Sequence, residues 1–270
     1  MADDQDSGAF IWYELMTPDA AKAKSFYDAV VGWNIDPAGM PLPHGGTYHM
    51  IGRSDGGNAG GVLTLSQDMI AGGGRPMWID YVHVPDVDDA VSFVTSNGGT
   101  VHLPAMDMPG VGRMAMVADP WGATFYVMTP TPPPVSPDAK SDVWSRTEAQ
   151  HVRWNELWTA DQPGAVAFYA DLFGWTQEGA MPMGLMGDYL FIKHGEDAIG
   201  AMGTAQPGGE GPRWQYFMGV DDIDRACAAA KENGGTLLGE PQEIPGGEYS
   251  VYGHDPHGAT FGLVGPRKEA

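Results

Sequence analysis

Cysteine is nearly absent: Cys227 is the only one in 270 residues. An intrachain disulfide and a thiolate zinc site are therefore excluded. Positive charge is scarce as well, with 14 Lys and Arg against 35 Asp and Glu and a net charge of -21. A surface of that sign repels phosphate backbones and anionic bilayers, so neither nucleic acid nor membrane is expected as a partner. No apolar run approaches the roughly 20 residues that cross a bilayer. The start, "MADDQDSG", lacks the positive charge and apolar stretch of a secretory signal, which leads us to expect a cytoplasmic chain. What is present is ample, since 43% hydrophobic and 10% aromatic residues can fill two ordinary cores.

The chain repeats itself. A shift of 142 (154 minus 12) lays residues 12–33 on 154–175 with ten of twenty-two positions identical, among them Trp12 on Trp154, Glu14 on Glu156 and Trp33 on Trp175. Farther on the shift is 136 (255 minus 119), where "DPWGATF" meets "DPHGATF". The first copy therefore carries six extra residues, which we place in the glycine-rich region between Arg53 and Pro76. Each copy divides again: a shift of 67 sets Asp19 on Asp86 and Phe26 on Phe93, and one of 61 sets Asp161 on Asp222. Four related modules result, and such self-similarity outranks any local pattern.

Each module opens with a strand-like run such as "WIDYVHV" or "WQYFMGV", rich in aromatic and β-branched residues. An aspartate then stands where a helix N-cap belongs. Apolar residues at three-to-four spacing follow and end in glycine, predicting an amphipathic helix. Shorter strands such as "TYHMIG", "DYLFIK" and "ATFYVMT" complete a βαβββ unit. The expected division is a tail at 1–8, a first domain at 9–130 (modules 9–68 and 75–130), a Pro-rich linker at 131–149, a second domain at 150–266 (modules 150–206 and 211–266) and a tail at 267–270. The prolines of "TPTPPPVSPDAKSD" favour an extended, weakly packed linker.

Four βαβββ modules, the "FY...GW" helix ends and the closing "DP.GATF" strands resemble the vicinal oxygen chelate superfamily of glyoxalases, bleomycin-resistance proteins and extradiol dioxygenases. The resemblance covers nearly the whole chain and looks closest to a two-domain, glyoxalase-like bacterial branch. It implies an α+β fold: modules paired into two tandem domains, each a curved, cup-shaped mixed sheet with helices outside. It also implies a divalent ion held in the cup by His, Glu or Gln in metal-using members. At the positions where those ligands stand, this chain has Trp12, Ile79, Trp154, Gln215, Tyr126 and Gly262, of which only Gln215 offers an ordinary donor. A catalytic metal takes about three protein ligands, so we expect no tightly bound metal and no other cofactor. A shifted set drawn from Glu14, His83 and Gln215 stays open as the metal-dependent alternative.

Side chains alternate along a strand, so Glu14 shares a face with Trp12 and Met16. By the same register Tyr81 and His83, and then Tyr126 and Met128, project from the other strands of the first domain. We take Glu14, His83 and Tyr126 as candidate catalytic residues, and Trp12, Met16, Tyr81 and Met128 as candidate ligand contacts. Trp154, Glu156, Trp158 and Gln215 are their counterparts in the second domain. Burial shifts a carboxylate toward its neutral form and equips it as a general base. A buried glutamate equally serves to satisfy neighbouring donors and specify module pairing. His44 and His49 border a Pro/Gly-rich loop that could rim the cup, and Cys227 reads as a small packing residue. Three functions follow. One is an enzyme acting on a small organic molecule by carboxylate acid–base chemistry, as a lyase, isomerase or hydrolase. The second is a small-molecule binding or resistance protein that stacks a flat ligand on its aromatics. The third is a metal-dependent glyoxalase or dioxygenase. The chain is expected to work as a monomer or homodimer.

Overall fold

Four aspartates place the four main helices. In the computed structural model, which describes residues 6–42, 45–132, 139–206 and 208–268, each predicted cap accepts first-turn backbone N–H groups. Asp19 accepts from Lys22, Asp86 from Asp88 and Asp89, Asp161 from Gly164, and Asp222 from Asp224 and Arg225. Such caps satisfy donors that the helix itself leaves open. Gly32 and Gly174 close two of these helices in the left-handed conformation, at φ 85° and 71°.

The first module runs β1 (Phe10–Thr17), α1 (Ala20–Val31), β2 (Asn34–Ile35), β3 (Met40–Pro41), β4 (Thr47–Gly52) and β5 (Asn58–Thr64). A short helix, α2 (Gln67–Ala71), leads to the second: β6 (Met77–His83), α3 (Val87–Ser96), β7 (Thr100–Met108), β8 (Gly112–Ala118) and β9 (Thr124–Pro130). The third comprises β10 (Val152–Thr159), α4 (Gln162–Phe173), β11 (Thr176–Pro182), β12 (Asp188–His194) and β13 (Asp197–Thr204). The fourth comprises β14 (Arg213–Gly219), α5 (Ile223–Glu232), β15 (Thr236–Leu237), β16 (Gln242–Glu243), β17 (Tyr249–His254) and β18 (Thr260–Gly265). The predicted βαβββ order thus recurs four times, with the strand after the helix broken into two short pieces in the first module (β2, β3) and the fourth (β15, β16). Much of the extra length of the first copy lies at helix α2, between β5 and β6. The strands form two mixed sheets of nine strands, one from each half of the chain.

By packing, the chain divides into two compact units, and their composition crosses the order of the sequence. One contains Met1–Ile11, Asp80–Ser141 and Asn155–Trp214; the other contains Trp12–Ile79, Asp142–Trp154 and Gln215–Ala270. The first unit holds the strand row β6-β9-β8-β7 and the row β11-β12-β13-β10, with α3 against α4. The second holds β2-β4-β5-β1 and β14-β18-β17-β15, with α1 against α5. Arg225 of α5 donates to Ala29 O and Val30 O, the open carbonyls at the end of α1.

The repeated "FY" and "DP.G" motifs belong to the cores of these units. In the first, Trp214 Nε1–H donates to Tyr169 Oη at 3.1 Å, and Tyr169 O–H donates to Asp119 at 3.0 Å. The other Asp119 oxygen accepts the backbone N–H groups of Trp121, Gly122 and Ala123. The second unit repeats the chain with Trp78, Tyr27 and Asp255, at 2.8 and 3.2 Å. Burial holds both aspartates above the usual carboxylate range, against the lowering effect of their hydrogen bonds. It also pushes both tyrosines well up.

Part of the expected linker lies at 133–138, outside the described residues, as does His44. The part that follows is anchored in the second unit. Arg53, itself buried, grips Asp142 through both terminal nitrogens. Gln150, the only non-glycine among the described residues at positive φ (64°), donates to Gly32 O and accepts from Ser54 N–H.

Candidate functional site

Glu14 is 3% exposed and Glu156 2%, so the repeated glutamates are buried in strand faces, as alternation implies. Their surroundings differ. In the second unit Glu14 lies opposite Gly61 and Met16 opposite Leu63. The ring of Tyr48 lies over Gly61, where no Cβ stands in its way. Trp12 Nε1–H donates to the Tyr48 hydroxyl at 2.6 Å.

In the first unit Glu156 lies opposite Ala201 and Trp158 opposite Gly203. Both oxygens of Glu156 accept: Tyr189 O–H donates to one at 2.5 Å and Trp158 Nε1–H to the other at 2.8 Å. Gly203 makes room for this, because an added Cβ would stand 2.6 Å from the Trp158 ring. Tyr48 and Tyr189 occupy the same place in "TYHMIG" and "DYLFIK". Neither was among the expected site residues, although a tyrosine common to both repeats was the signal that marked them.

Tyr81 and Tyr126, cross-strand partners in the first unit, lie flat on each other with centroids 4.2 Å apart and planes 7° apart. The next pair is His83 with Met128, and Met114 lies opposite Met128. All are nearly buried, His83 at 9% and Tyr126 at 5% exposure. The structure therefore brings Tyr81, His83, Tyr126 and Met128 together in one unit, and Glu156 and Trp158 together in the same unit's other strand row. Trp12, Glu14 and Met16 share a strand in the second unit. Trp154 and Gln215 also belong to that unit. Gln215 is 1% exposed, on the strand where Phe217 covers Gly262 and meets Tyr252 edge-on at 5.0 Å.

Other candidates have structural places. His49 lies on strand β4, as "TYHMIG" predicts, its ring fixed between Asp36 O and the Thr47 hydroxyl at 2.8 Å each. Cys227 is buried in α5 and its thiol is pushed up to about 11 by burial, the opposite of an activated nucleophile. Two clefts, of about 400 and 450 Å³, open at Asp86–Arg113 and at Gln150–Arg225. Their principal charges pair with each other, Arg113 with Asp88 and Arg225 with Asp221. Among the described residues no three His, Cys, Asp or Glu side chains gather as a metal-holding group, and none of their helices is long and apolar enough to cross a membrane.

Residues 9–127 and 149–263 match the family model described as Glyoxalase/Bleomycin resistance protein/Dioxygenase superfamily. The chain is similar to the "Putative glyoxylase CFP32" of Mycobacterium tuberculosis, at 31% identity over 258 residues and 94% of each chain. It is similar also to the "Anthracycline biosynthesis protein DauV" of Streptomyces sp. strain C5, at 29% identity over 268 residues, 95% of this chain and 93% of that one. Among solved structures, the Mn(II)-bound glyoxalase from Novosphingobium aromaticivorans superposes with a TM-score of 0.61 at 16% identity, over 98% of this chain and 84% of that one. The 2,3-dioxygenase LapB from Pseudomonas sp. KL28 gives 0.60 at 13%, over 98% and 95%. At such identities the structural likeness is one of fold.

Proposed function

Since the chain belongs to the Glyoxalase/Bleomycin resistance protein/Dioxygenase superfamily, we propose that it binds and transforms a small organic molecule with side chains of its first-half strands. The observation that carries this reading is the flat Tyr81–Tyr126 pair beside His83 and Met128. An apolar, aromatic wall with a few placed polar groups is the composition of a small-molecule site. Each unit carries its own candidate face in this reading: Glu14 is the acid–base group in the second unit, and His83 and Tyr126 are the orienting and polarising groups in the first. Lyase, isomerase or hydrolase chemistry suits such a set. A flat substrate fits the aromatic wall, and the Streptomyces relative is named for anthracycline biosynthesis.

The family's metal-using members raise the question of a divalent ion. The donor set does not fit one at the positions the family marks: Trp12, Ile79, Trp154 and Gly262 offer no donor atom, which leaves Gln215 and Tyr126 where a catalytic metal takes about three ligands. No step is therefore routed through a metal.

A second reading, binding without turnover, is favoured by Glu156, whose two oxygens are already held by Tyr189 and Trp158. One experiment separates the two. Catechols, 2-oxoaldehyde–thiol adducts and polycyclic quinones are screened by thermal shift, and the stabilising compounds are followed for turnover by mass spectrometry. Glu14→Gln abolishes turnover under the first reading. Under the second no compound is turned over, and Glu14→Gln leaves affinity within about tenfold. Turnover that survives Glu14→Gln removes the catalytic assignment.

A further inference from the structure

The cleft at Gln150–Arg225 lies wholly within the second unit, and none of the strand-face candidates lines it. Its volume of about 450 Å³ suits a small organic molecule. Val31 and Gly32 bring the C-terminus of α1 to its wall, the negative end of that helix dipole. Gln150 meets this helix end in the left-handed conformation, at φ 64°, and every polar group it has is bonded. Its N–H donates to Gly219 O, its carbonyl accepts from Trp33 Nε1–H, and its amide joins Gly32 O to Ser54 N–H. A residue so over-determined holds its neighbours in place. One neighbour is His151, 7% exposed, whose Nδ1 lies 2.9 Å from Ala149 O. A carbonyl only accepts, so Nδ1 carries the proton and the neutral ring presents a lone pair at Nε2. Nε2 has no hydrogen-bond partner among the described residues, and His151 is part of the cleft wall, so this lone pair is directed into the cleft.

We propose that this cleft binds a small primary alkylammonium ion, which donates its N–H groups to His151 Nε2 and to the carboxylates of Glu148 and Asp55. The lone pair of His151 accepts a hydrogen bond and cannot give one, so it selects a ligand that carries a donor. The surrounding charge selects a cation. Glu148 is exposed at the rim and has no ionic partner among the described residues. Asp55 shares the single guanidinium of Arg53 with Asp142, which leaves one negative charge over. The positive groups are spent: Arg225 and Lys268 pair with Asp221, and Arg225 also donates to Ala29 O and Val30 O. Val31 and Ala149 supply an apolar wall for the alkyl part. Exposed carboxylates alone hold a counter-ion weakly and without choice; the buried lone pair is what adds the choice. The site is separate from the strand faces of the proposed function, and its failure would leave that reading untouched.

The probes are 1,6-diaminohexane and Nα-acetyl-lysine amide, each against its N-permethylated counterpart, which keeps the charge and loses the N–H groups. They are titrated into the full chain at about pH 8 and about 0.15 M salt, followed by calorimetry and by the imidazole nitrogen resonances. At least one primary ammonium should saturate below about 10 mM, bind about tenfold tighter than its permethylated counterpart and shift the Nε2 resonance of His151. The tighter of the two identifies the source of the ammonium, a free amine or a lysine side chain. Glu148→Gln should weaken binding severalfold, and His151→Leu should abolish the preference over the permethylated probe. The proposal is overturned if neither primary ammonium saturates below about 10 mM. It is overturned equally if the permethylated probes bind as tightly, which a net charge of -21 would achieve alone, or if His151→Leu keeps the preference. Should His151→Leu fail to fold, the permethylated comparison and the Nε2 resonance of the unaltered chain decide.

Discussion

Tyr169→Phe removes one oxygen atom from the core of the first unit, and its consequence can be worked from the hydrogen bonds it breaks. The hydroxyl donates to Asp119 at 3.0 Å and accepts from Trp214 at 3.1 Å, and the tyrosine is fully buried. A bond to an ionised partner contributes about 1.5–3 kcal/mol, and a buried donor left without an acceptor, here the Trp214 N–H, costs about 1–3 kcal/mol. These contributions overlap, because the two bonds share one oxygen, so we expect a destabilisation of about 2–4 kcal/mol. Scanning calorimetry should show the melting temperature falling by about 5–10 °C. The loss should also depend on pH. Asp119 is held above the usual carboxylate range by burial, so the folded state binds its proton more tightly than the unfolded chain does. The stability from that proton is fully present below the unfolded value of about 3.9 and is lost as pH rises through the folded value. Tyr169 is one of the groups that lowers the Asp119 value, and removing it widens the window. The destabilisation should therefore be larger at pH 7 than at pH 4. A change below about 1 kcal/mol, or one of equal size at both pH values, would refute a relay that carries a buried charge.

Two further outcomes follow from the same burial arguments. Cys227, buried and with its thiol pushed up to about 11, should resist a thiol-specific reagent at pH 8 in the folded protein and react promptly in denaturant; fast labelling of the folded chain would contradict its packing role. Dialysis against a chelator should leave the melting temperature unchanged, because the family's ligand positions carry Trp12, Ile79, Trp154 and Gly262. A drop that stoichiometric Mn, Zn or Fe reverses would restore the shifted ligand set of Glu14, His83 and Gln215.

Much of the fold was legible because its signals are local and fourfold. Asp19, Asp86, Asp161 and Asp222 are caps for the same reason, and each sits between a period-two run and a period-three-to-four run. Alternation along β1 and β10 also located the buried glutamates. The composition of the compact units was not legible, because it depends on contacts such as Arg225 with the carbonyls of Ala29 and Val30. Nothing periodic announces an arginine that closes another helix. The "FY" and "DP.G" motifs were visible as repeats, but their meaning, a tyrosine donating to a buried aspartate, lies in pairs 50 and 228 residues apart. Faces can be read from alternation, whereas the reach of a long side chain across a face depends on what lies beneath it.

The two glutamates show how small residues decide that reach. Beneath Tyr48 lies Gly61, and its missing Cβ lets the tyrosine ring lie down and its hydroxyl meet Trp12. At the equivalent place beside Glu156 stands Ala201, and there the equivalent tyrosine, Tyr189, bonds the carboxylate. One row on, the exchange is reversed in size: Met16 faces Leu63 in the first half, and Trp158 faces Gly203 in the second. The added bulk of Trp158 is matched by the loss of a side chain at 203, which holds the volume of the face nearly constant while moving an indole N–H onto the glutamate. Substitutions of matched volume are the kind a packed core tolerates, so the two halves could diverge in chemistry without a loss of packing. Gly61→Ala tests whether the residue beneath Tyr48 sets its position. The new methyl would collide with the Tyr48 ring, costing about 1–3 kcal/mol by overpacking and breaking the bond from Trp12. The Trp12 indole N–H resonance should shift in the NMR spectrum while that of Trp158 stays in place. An unmoved Trp12 resonance would mean that the tyrosine position is set by something other than the residue beneath it.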